Sequence, residues 1–265
     1  MKAIFITVRT GSTRFPAKCL KWVGNKRAIE LVIDRVKRSK RAQQIVLCTT
    51  WLPDDDILCS IARENGIEFR RGSTEDKLMR WKGATIQHDV DFFVTADGDD
   101  LLCDPELIDL AFGQYDRNGS DFIEAPNVPC GAFTYGISTA ALKRVCEIKD
   151  TDDTEMMVPY FREIGKFGSP RAGYKNPFVW KPMFRFEQLE NVPSVLQRPE
   201  IRMTLDYPDD LKFFDNIYSN FDDTSFTLRD VIAYLDANPE VIDINKYLQE
   251  KYLANQKLMT RMVLK

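Results

Sequence analysis

Histidine is almost absent from this sequence. A single histidine, His88, occurs among 265 residues, and the six cysteines include no C-x-x-C pair. Structural zinc sites use cysteine and histidine ligands at close, regular spacings, so a zinc site of that kind is not expected. His88 follows a predicted helix and precedes a predicted strand, and we interpret it as a loop residue. The sequence also lacks a G-x-S-x-G motif, which disfavours serine-hydrolase chemistry.

The sequence has neither a surplus of basic charge nor a long hydrophobic run. Its 37 basic and 40 acidic residues give a net charge of -3, whereas nucleic-acid-binding domains are usually basic. The apolar run at residues 3–8 ends at Arg9 and is too short for a signal peptide or a membrane span. The cysteines have no disulfide-framework spacing, and Cys19 is interpreted as a packing residue. We therefore predict a cytoplasmic protein with no nucleic acid and no membrane among its partners.

What the sequence does contain is an alternation of apolar, β-branched runs with amphipathic stretches. The runs lie at residues 3–8, 45–50, 67–70, 91–96 and 121–124, and helical spacing between them begins near residues 28, 53 and 104. Strands that alternate with helices favour right-handed crossovers and a mostly parallel sheet that is covered on both faces. The predicted fold class is therefore α/β, a Rossmann-like three-layer sandwich.

The composition changes at about residue 125. Prolines, glycines and aromatic residues are frequent from there to about residue 200, and we interpret this stretch as hairpins and loops that cover a site and select a substrate. Residues 201–206 predict a further strand that ends in Asp206, and helical spacing returns after Pro208. We predict a single domain over residues 1–265, with an insertion at roughly 125–200. The helical segment after residue 244 is compatible with packing on its own domain or on a partner subunit.

The segment after the first strand is a candidate phosphate-binding loop. Residues 9–18 read R-T-G-S-T-R-F-P-A-K, with a glycine, short hydroxyl residues and three cations. Short residues allow backbone N–H groups to approach an anion, and arginine and lysine neutralise its charge. An ordinary basic surface turn has a similar composition, so this segment alone leaves both interpretations open.

Two acids, Asp99 and Asp206, are candidate ligands for a divalent cation. Each follows an apolar run, and the carboxyl ends of parallel strands meet at one edge of a sheet, where the 9–18 loop also lies. Mg²⁺ prefers oxygen ligands and bridges protein carboxylates to phosphate oxygens. The alternative is that Asp97, Asp99 and Asp100 form a turn cluster and that Asp206 caps the next helix, because aspartate is common in both places.

Four segments resemble motifs of the cytidylyltransferases that make CMP-activated sugar acids, most of all the type that acts in spore-coat polysaccharide biosynthesis. Residues 8–20 (V-R-T-G-S-T-R-F-P-A-K-C-L) match A-R-x-G-S-T-R-L-P-G-K-x-L, and residues 70–80 (R-R-G-S-T-E-D-K-L-M-R) match F-R-G-S-x-x-D-x-L-x-R. Residues 98–109 (G-D-D-L-L-C-D-P-E-L-I-D) match G-D-x-P-x-x-D-P-x-L-I-D, and residues 202–210 (R-M-T-L-D-Y-P-D-D) match R-x-T-V-D-x-P-E-D. Four motifs in this order are more specific than any single one.

The resemblance implies a site for CTP and Mg²⁺ in a Rossmann-like nucleotidyltransferase fold that commonly forms a homodimer. By the first motif, the CTP phosphates are bound by Arg9, Thr10, Gly11, Ser12, Arg14 and Lys18. By the second, the cytosine and ribose lie beside Arg71, Gly72, Ser73 and Asp76. The last two motifs imply that Mg²⁺ is held by Asp99 and Asp206, with Asp97 as an additional acid of the site. The implied catalytic residues are Arg14, Lys18, Asp99 and Asp206.

The resemblance also implies the reaction, in which an acceptor oxygen attacks the α-phosphate of CTP and pyrophosphate leaves. A sugar-acid acceptor carries a carboxylate, and its candidate partners in the insertion are Arg162, Arg171, Lys181 and Arg185. For each of these residues taken singly, an ordinary surface or structural ion pair is the favoured interpretation.

Three alternatives to this function stay open on the sequence. Residues 125–136 do not resemble the acceptor-binding segments of ketodeoxyoctonate or sialic acid enzymes, so a phosphorylated or other non-ulosonic acceptor is one alternative. A metal-dependent glycosyltransferase is another, because Asp97-Gly98-Asp99 fits a D-x-D spacing, although the cations of the 9–18 loop favour a triphosphate. The third is a catalytically inactive binding protein.

Overall fold

The computed structural model describes residues 1–167, 184–221, 223, 225–259 and 263–264. Within these ranges the β-strands are β1 (Lys2–Thr7), β2 (Trp22–Val23), β3 (Lys26–Arg27), β4 (Gln44–Thr50), β5 (Glu68–Gly72), β6 (Phe92–Asp97), β7 (Phe122–Glu124), β8 (Tyr135–Ser138) and β9 (Phe186–Gln188). The α-helices are α1 (Ala28–Val36), α2 (Asp56–Glu64), α3 (Lys77–Gln87), α4 (Pro105–Asn118), α5 (Thr139–Ile148), α6 (Val158–Phe167), α7 (Pro208–Ser219), α8 (Leu228–Ala237), α9 (Pro239–Asp243) and α10 (Leu248–Met259).

Seven strands form one sheet in the order β5-β4-β1-β6-β8-β7-β9. All neighbouring pairs are parallel except those that involve β8, which runs antiparallel to both β6 and β7. The two short strands β2 and β3 form a separate antiparallel hairpin. The predicted α/β class with a mostly parallel sheet is confirmed. The parallel strands β1, β4 and β6 bring the loops after them to one edge of the sheet, where ligands of such folds bind.

Helices cover both faces of the sheet, as the alternation of side chains along β1 shows. Ile4 and Ile6 belong to a core that they share with α1, α2, α4, α7 and α8. Ala3 and Phe5 point to the opposite face and pack with α3, α5 and α6. Because successive side chains of a strand lie on opposite faces, a run that is apolar at every position is what a strand between two helical layers requires.

The region from 125 to 200 differs from the prediction of hairpins and loops. In its described part, β8 and β9 join the main sheet, and α5 and α6 pack beneath it. Ser138 begins α5 by accepting a hydrogen bond from the backbone N of Ala141, and Ala141, Leu142 and Val145 form the buried face of that helix. This helical spacing is short and was masked by the surrounding glycines and prolines, which is why the composition pointed to loops.

The strand predicted at residues 201–206 is also wrong. The segment is extended, but it makes only an isolated bridge, between Arg202 and Cys130, and does not enter the sheet. Its buried apolar residues Ile201, Met203 and Leu205 belong to the core beside α7 and α8. The apolar pattern therefore predicts the burial of this segment correctly, but the pairing of the segment in the sheet is predicted incorrectly.

Edge strand β9 is joined to the end of α4 by one carboxylate. Glu187 accepts hydrogen bonds from Asn118 Nδ2 at 2.7 Å, from Gln114 Nε2 at 3.1 Å and from the Ser120 hydroxyl, and it pairs with Arg185 at 2.7 Å. Burial opposes the ionisation of Glu187, but the hydrogen bonds from Ser120, Arg185, Gln114 and Asn118 outweigh it and lower its pKa to about 2.

We expect Glu187→Gln to destabilise the protein by about 1 kcal/mol at neutral pH, because the glutamine loses charge-assisted hydrogen bonds. The pKa of this carboxyl is lower in the folded chain than in an unfolded one, where it is about 4.3, so its stabilisation is complete above that value. It is lost as the pH falls towards about 2. Urea unfolding of both proteins at pH 7, 4.5 and 3 tests this. A difference between the two that does not shrink on acidification would contradict the prediction.

Candidate active site

A cavity of about 800 Å³ opens where the loops after β1 and β6 leave the sheet. The 9–18 loop forms one wall and the turn between β6 and α4 forms the floor. The predicted site residues that line this cavity are Arg9, Gly11, Ser12, Arg14, Lys18, Asp97, Asp99 and Asp206. Three segments that are far apart in the sequence therefore meet at this cavity with the predicted side chains.

Lys18 lies between the two acids that were predicted to hold a metal. Its Nζ forms a close ion pair with Asp99 and lies 2.8 Å from Asp206 Oδ1. Arg14 pairs with the same oxygen of Asp206. Burial works against the charge on Lys18, but the carboxylates of Asp99 and Asp206 outweigh it and raise the pKa of the amine above its usual value. One ammonium group thus bridges two carboxylates at the base of the cavity.

A buried arginine, Arg202, contacts the other carboxylate oxygen of Asp206. Arg202 Nη2 lies 3.1 Å from Asp206 Oδ2, and Arg202 Nε lies 2.9 Å from Asp210 Oδ1. Asp210 also accepts a hydrogen bond of 2.8 Å from the backbone N of Asp206, which fixes the start of α7. Burial alone would raise the pKa of Asp206, but Lys18, Arg14 and Arg202 outweigh it and lower the pKa. Asp206 is therefore an ionised, immobilised carboxylate.

Three acids stand in close succession at the end of β6 and in the turn after it. Carboxylate oxygens of Asp97, Asp99 and Asp100 lie within 4.8 Å of one another. Burial, followed by the charges of Asp99 and Asp97, raises the pKa of Asp100 well above its usual value, while Thr134 Oγ1 donates a hydrogen bond to it at 3.1 Å. Oxygen ligands crowded in this way are the donor set that Mg²⁺ prefers, and a cation would relieve their repulsion. This donor set suits a divalent cation and contains one of the two predicted ligands, Asp99, whereas Asp206 lies outside the cluster; Mg²⁺ at this site stays a prediction.

Backbone hydrogen bonds join this turn to the segment that precedes α7. Leu205 N donates to Asp99 O at 2.9 Å, and Met203 N donates to Cys130 O at 2.7 Å. The approach at Gly131 is so close that a Cβ atom there would lie 2.0 Å from Met203 O, and the φ angle of 95° is one that L side chains rarely adopt. Glycine is the residue that permits this contact.

Thr10, predicted to bind phosphate, is not among the residues that line the cavity. Its backbone N and its Oγ1 donate to Asp55 Oδ1 at 2.8 and 2.7 Å, and Asp55 also accepts from Thr50 Oγ1. Burial opposes ionisation of Asp55, but the hydrogen bonds from Thr50 and Thr10 outweigh it and lower the pKa of the carboxyl. Thr10 therefore anchors the start of the loop, and its contact with phosphate stays a prediction.

Four residues of the second motif that were predicted to face the nucleotide lie beside the cavity rather than in its wall. The residues concerned are Arg71, Gly72, Ser73 and Asp76. Arg71 Nε donates to the backbone oxygen of Thr50 at 2.7 Å, and its guanidinium pairs with Asp56. Asp76 caps α3 and forms a buried ion pair with Lys149. Arg71 and Asp76 thus have structural partners within the chain, and the contacts of all four residues with a nucleotide stay predictions.

Sequence analysis did not single out three charged residues that line the cavity, namely Lys77, Arg80 and Glu155. Lys77 Nζ lies 3.3 Å from Asp97 Oδ1, and Arg9 Nη2 lies 3.7 Å from Glu155 Oε2. Lys77 and Arg80 stand inside the second motif, so their position there was an available signal. Glu155 lies in the stretch interpreted as hairpins and loops, and no pattern in the sequence marks it.

Helix α10 forms a further part of the wall, with Gln249, Tyr252 and Asn255 among the lining residues. Gln249 Oε1 accepts a hydrogen bond of 3.2 Å from Arg202 Nη1, and the Arg202 guanidinium lies 4.8 Å from the centre of the Tyr252 ring. Asn255 Nδ2 donates to the Tyr207 hydroxyl at 3.1 Å. The sequence left open where this helix packs, and the structure places it on its own chain. The predicted homodimer stays a prediction.

The remaining wall comes from residues 124–135 and 155–158, which include the stretch predicted to face an acceptor. Of the candidate partners for an acceptor carboxylate, Arg162 forms an ion pair with Glu124, and Glu124 lines the cavity. Arg185 pairs with a glutamate of β9 and is not among the lining residues. The other two candidates lie outside the described residues; they are Arg171 and Lys181.

Taken together, the described wall suits an anionic ligand of the size of a nucleotide. Cations from the 9–18 loop and α3 face carboxylates that are able to hold a divalent ion, and such a combination binds and polarises phosphoryl groups. In the part of the chain that the structure describes, no helix combines the length and the apolar character needed to cross a lipid bilayer.

Comparison with known proteins agrees with this chemistry. The model of a family described as cytidylyltransferase matches residues 3–217. The chain is 26% identical over 242 residues to the spore coat polysaccharide biosynthesis protein SpsF of Bacillus subtilis, covering 89% of this chain and 94% of that protein. It is 28% identical over 221 residues to the 3-deoxy-manno-octulosonate cytidylyltransferase of Thermodesulfovibrio yellowstonii, covering 72% and 83%. The structure of a cytidylyltransferase from Leptospira borgpetersenii superimposes with a TM-score of 0.78 at 25% identity, covering 91% of this chain and 96% of that one.

Proposed function

This chain belongs to the cytidylyltransferase family, and from that membership we propose that it activates an acidic, ulosonic-type sugar as its CMP conjugate, with CTP as the donor, in the synthesis of a surface polysaccharide. The observation that carries the proposal is the contact of one lysine, Lys18, with both Asp99 and Asp206 inside a nucleotide-sized cavity. Relatives that are named for spore-coat polysaccharide biosynthesis and for a ketodeoxyoctonate cytidylyltransferase support the choice of acceptor class.

In this reaction, a lone pair on an acceptor oxygen forms a new bond to the α-phosphorus of CTP. The bond between that phosphorus and the bridging oxygen breaks, and pyrophosphate leaves with the electron pair. Catalysis of such transfers comes mainly from positioning and from fixed charge that faces the developing negative charge. Arg14 and Lys18 supply this charge from one loop, and their ion pairs with Asp206 hold them in place before substrate arrives.

Magnesium is part of the proposal, with Asp99 and Asp206 as its protein ligands and Asp97 beside them. When bound, the ion would polarise the α-phosphate and stabilise the leaving pyrophosphate. Lys18 shares both carboxylates with the metal site, so the charge of the two acids is already compensated in the free chain. The Lys18 ammonium thereby offsets the repulsion between the two carboxylates and keeps them close together.

The acceptor carboxylate needs a cation, and Arg162 is the described candidate that has a contact with the cavity wall, through Glu124. Tyr135 and residues 125–133 complete that side of the cavity. We place the acceptor there, opposite the 9–18 loop, because the α-phosphate has to lie between the loop cations and the attacking oxygen.

The proposed activity is tested by pyrophosphate release from each of the four nucleoside triphosphates, with a panel of ulosonic acids, other sugar acids and phosphorylated sugars as acceptors. We expect release from CTP with an ulosonic acid in the presence of Mg²⁺, and loss of at least about 10²-fold of the rate with a chelator. Equal turnover of all four triphosphates would refute the cytidylyl donor. Turnover with a phosphorylated sugar alone would refute the acidic acceptor and leave the donor intact.

A further inference from the structure

Two buried polar atoms in the cavity wall have no hydrogen-bond partner among the described residues. They are Glu155 Oε2, an acceptor, and Arg80 Nε, a donor. Buried polar atoms are rarely left unpaired, because losing water without gaining a partner is unfavourable. Glu155 Oε2 lies 3.7 Å from Arg9 Nη2, which is an ion-pair distance but too long for a hydrogen bond. A donor and an acceptor that both lack hydrogen bonds in the wall of one cavity indicate a ligand that presents the complementary pair.

The residues on either side of Glu155 fix its position beside the first turn of α3. Its neighbour Thr154 donates from Oγ1 to Asp76 Oδ1 at 2.8 Å and accepts from Leu78 N at 3.1 Å. On the other side, Met157 is buried in the core beneath the sheet. The carboxylate of Glu155 is therefore presented to the cavity from a segment that is fixed at both ends.

Arg80 is positioned by the second motif. Its side chain is buried, and its Nη1 donates to the backbone oxygen of Ser73 at 3.0 Å. A Cβ atom at Gly72 would lie 3.1 Å from the Cα and the Cγ of Arg80, so a glycine lets the strand approach this helix closely. Gly72 and Ser73 thus fix the position of Arg80 in the cavity wall, although neither of them lines the cavity itself.

The charges around Glu155 determine whether its carboxyl group donates or only accepts hydrogen bonds. Burial works against its ionisation, but Lys77, Arg9 and Arg80 outweigh this effect and lower its pKa. An ionised carboxylate only accepts hydrogen bonds, and a guanidinium only donates them. A ligand that fits must therefore offer a donor to Glu155 and an acceptor to Arg80, which line the same cavity.

We propose that Glu155 and Arg80 recognise the base of the nucleotide, with Glu155 accepting from the 4-amino group of cytosine and Arg80 donating to the adjacent ring nitrogen, N3. Carboxylates commonly accept from this amino group when proteins read cytosine. Uracil has a carbonyl oxygen and an N–H at the corresponding positions, so it would face the carboxylate with an acceptor and the guanidinium with a donor. The pair thus selects CTP against UTP. This inference rests on the proposed CTP-dependent function.

Glu155→Gln tests the inference by its effect on the choice between two nucleotides. A glutamine can turn its oxygen to cytosine or its amino group to uracil, so the variant should lose discrimination. We expect titration calorimetry with CTP and with UTP, each in the presence of Mg²⁺, to give a CTP-to-UTP affinity ratio that falls at least about tenfold in the variant. Glu147→Gln, on an exposed part of α5, is the matched control and should keep the wild-type ratio.

The same experiment separates this inference from the proposed function. An equal loss of affinity for both nucleotides would mean that Glu155 acts on the ribose, the phosphates or Arg9, and it would overturn base recognition while CTP dependence stands. An unchanged ratio would overturn it in the same way. A wild-type chain that binds no CTP would overturn both. Circular dichroism and thermal unfolding of the variant verify that it is folded at the titration temperature.

Discussion

Asp206→Asn is expected to lower the rate of pyrophosphate release by about 10³-fold, an effect of the size seen when a fixed charge is removed from an active site. The asparagine has nearly the same shape and keeps one oxygen for Lys18 and Arg14. It loses the charge that would hold a divalent ion. The expected change is therefore in kcat, with a smaller effect on the KM for CTP.

The substitution also affects stability, because Asp206 is only 1% exposed and contacts three cations. Removing one partner of a buried ion pair costs about 3 kcal/mol, so turnover has to be measured well below the unfolding temperature of the variant. Asp209→Asn is the matched control, since Asp209 lies on the same turn and pairs with the exposed Lys212. It should leave the rate unchanged. If Asp206→Asn were as active as the control, Asp206 would have no place in the metal site.

Lys18→Met is expected to reduce kcat/KM for CTP by about 10³-fold, because the variant keeps the length of the side chain and loses its charge. A second effect is expected in the absence of nucleotide. Without the ammonium group, Asp99 and Asp206 repel each other, and added Mg²⁺ should raise the unfolding temperature of the variant more than that of the wild type.

Lys40→Met, at an exposed position, is the control for the general effect of removing a lysine. Steady-state kinetics and thermal unfolding with and without Mg²⁺ are the two measurements. A variant with a normal KM for CTP and a normal kcat would show that Lys18 is only a counter-ion for the two acids. A variant with low activity but the same response to Mg²⁺ as the wild type would place the metal away from Asp99 and Asp206.

Much of the fold could be predicted from local pattern. The strands β1, β4, β5, β6 and β7 fall at the predicted apolar runs. For β1, β4 and β6 the reason is that a strand buried on both faces has a nearly continuous apolar signature, whereas β5 is a partly exposed edge strand. The family was identified correctly from four motifs. The segment 201–206 shows where this reasoning ends. Its alternating apolar residues are buried, but whether an extended segment enters a sheet depends on which distant backbone lies beside it.

The site could be predicted where its residues belong to motifs and not where it depends on tertiary contacts. Lys18, Asp99 and Asp206 were indicated by their positions after apolar runs and in the motifs, and the structure brings them together. Glu155 and the residues of α10 enter the cavity from segments without a local signature. Their positions follow from tertiary packing: α6 packs beneath the sheet, and α10 packs against Arg202. A short stretch of sequence does not encode such contacts.

The main-chain link between the turn after β6 and the segment before α7 has a consequence for the evolution of substrate choice. The hydrogen bonds of Leu205, Met203 and Cys130 involve only backbone atoms, so they do not depend on which side chains stand at those positions. A neighbouring wall position such as the exposed Pro126 is therefore able to change without moving Asp99 relative to Asp206. A scaffold of this kind allows a new acceptor to be used after substitutions in one wall of the cavity, while the residues that act on the phosphates stay in place.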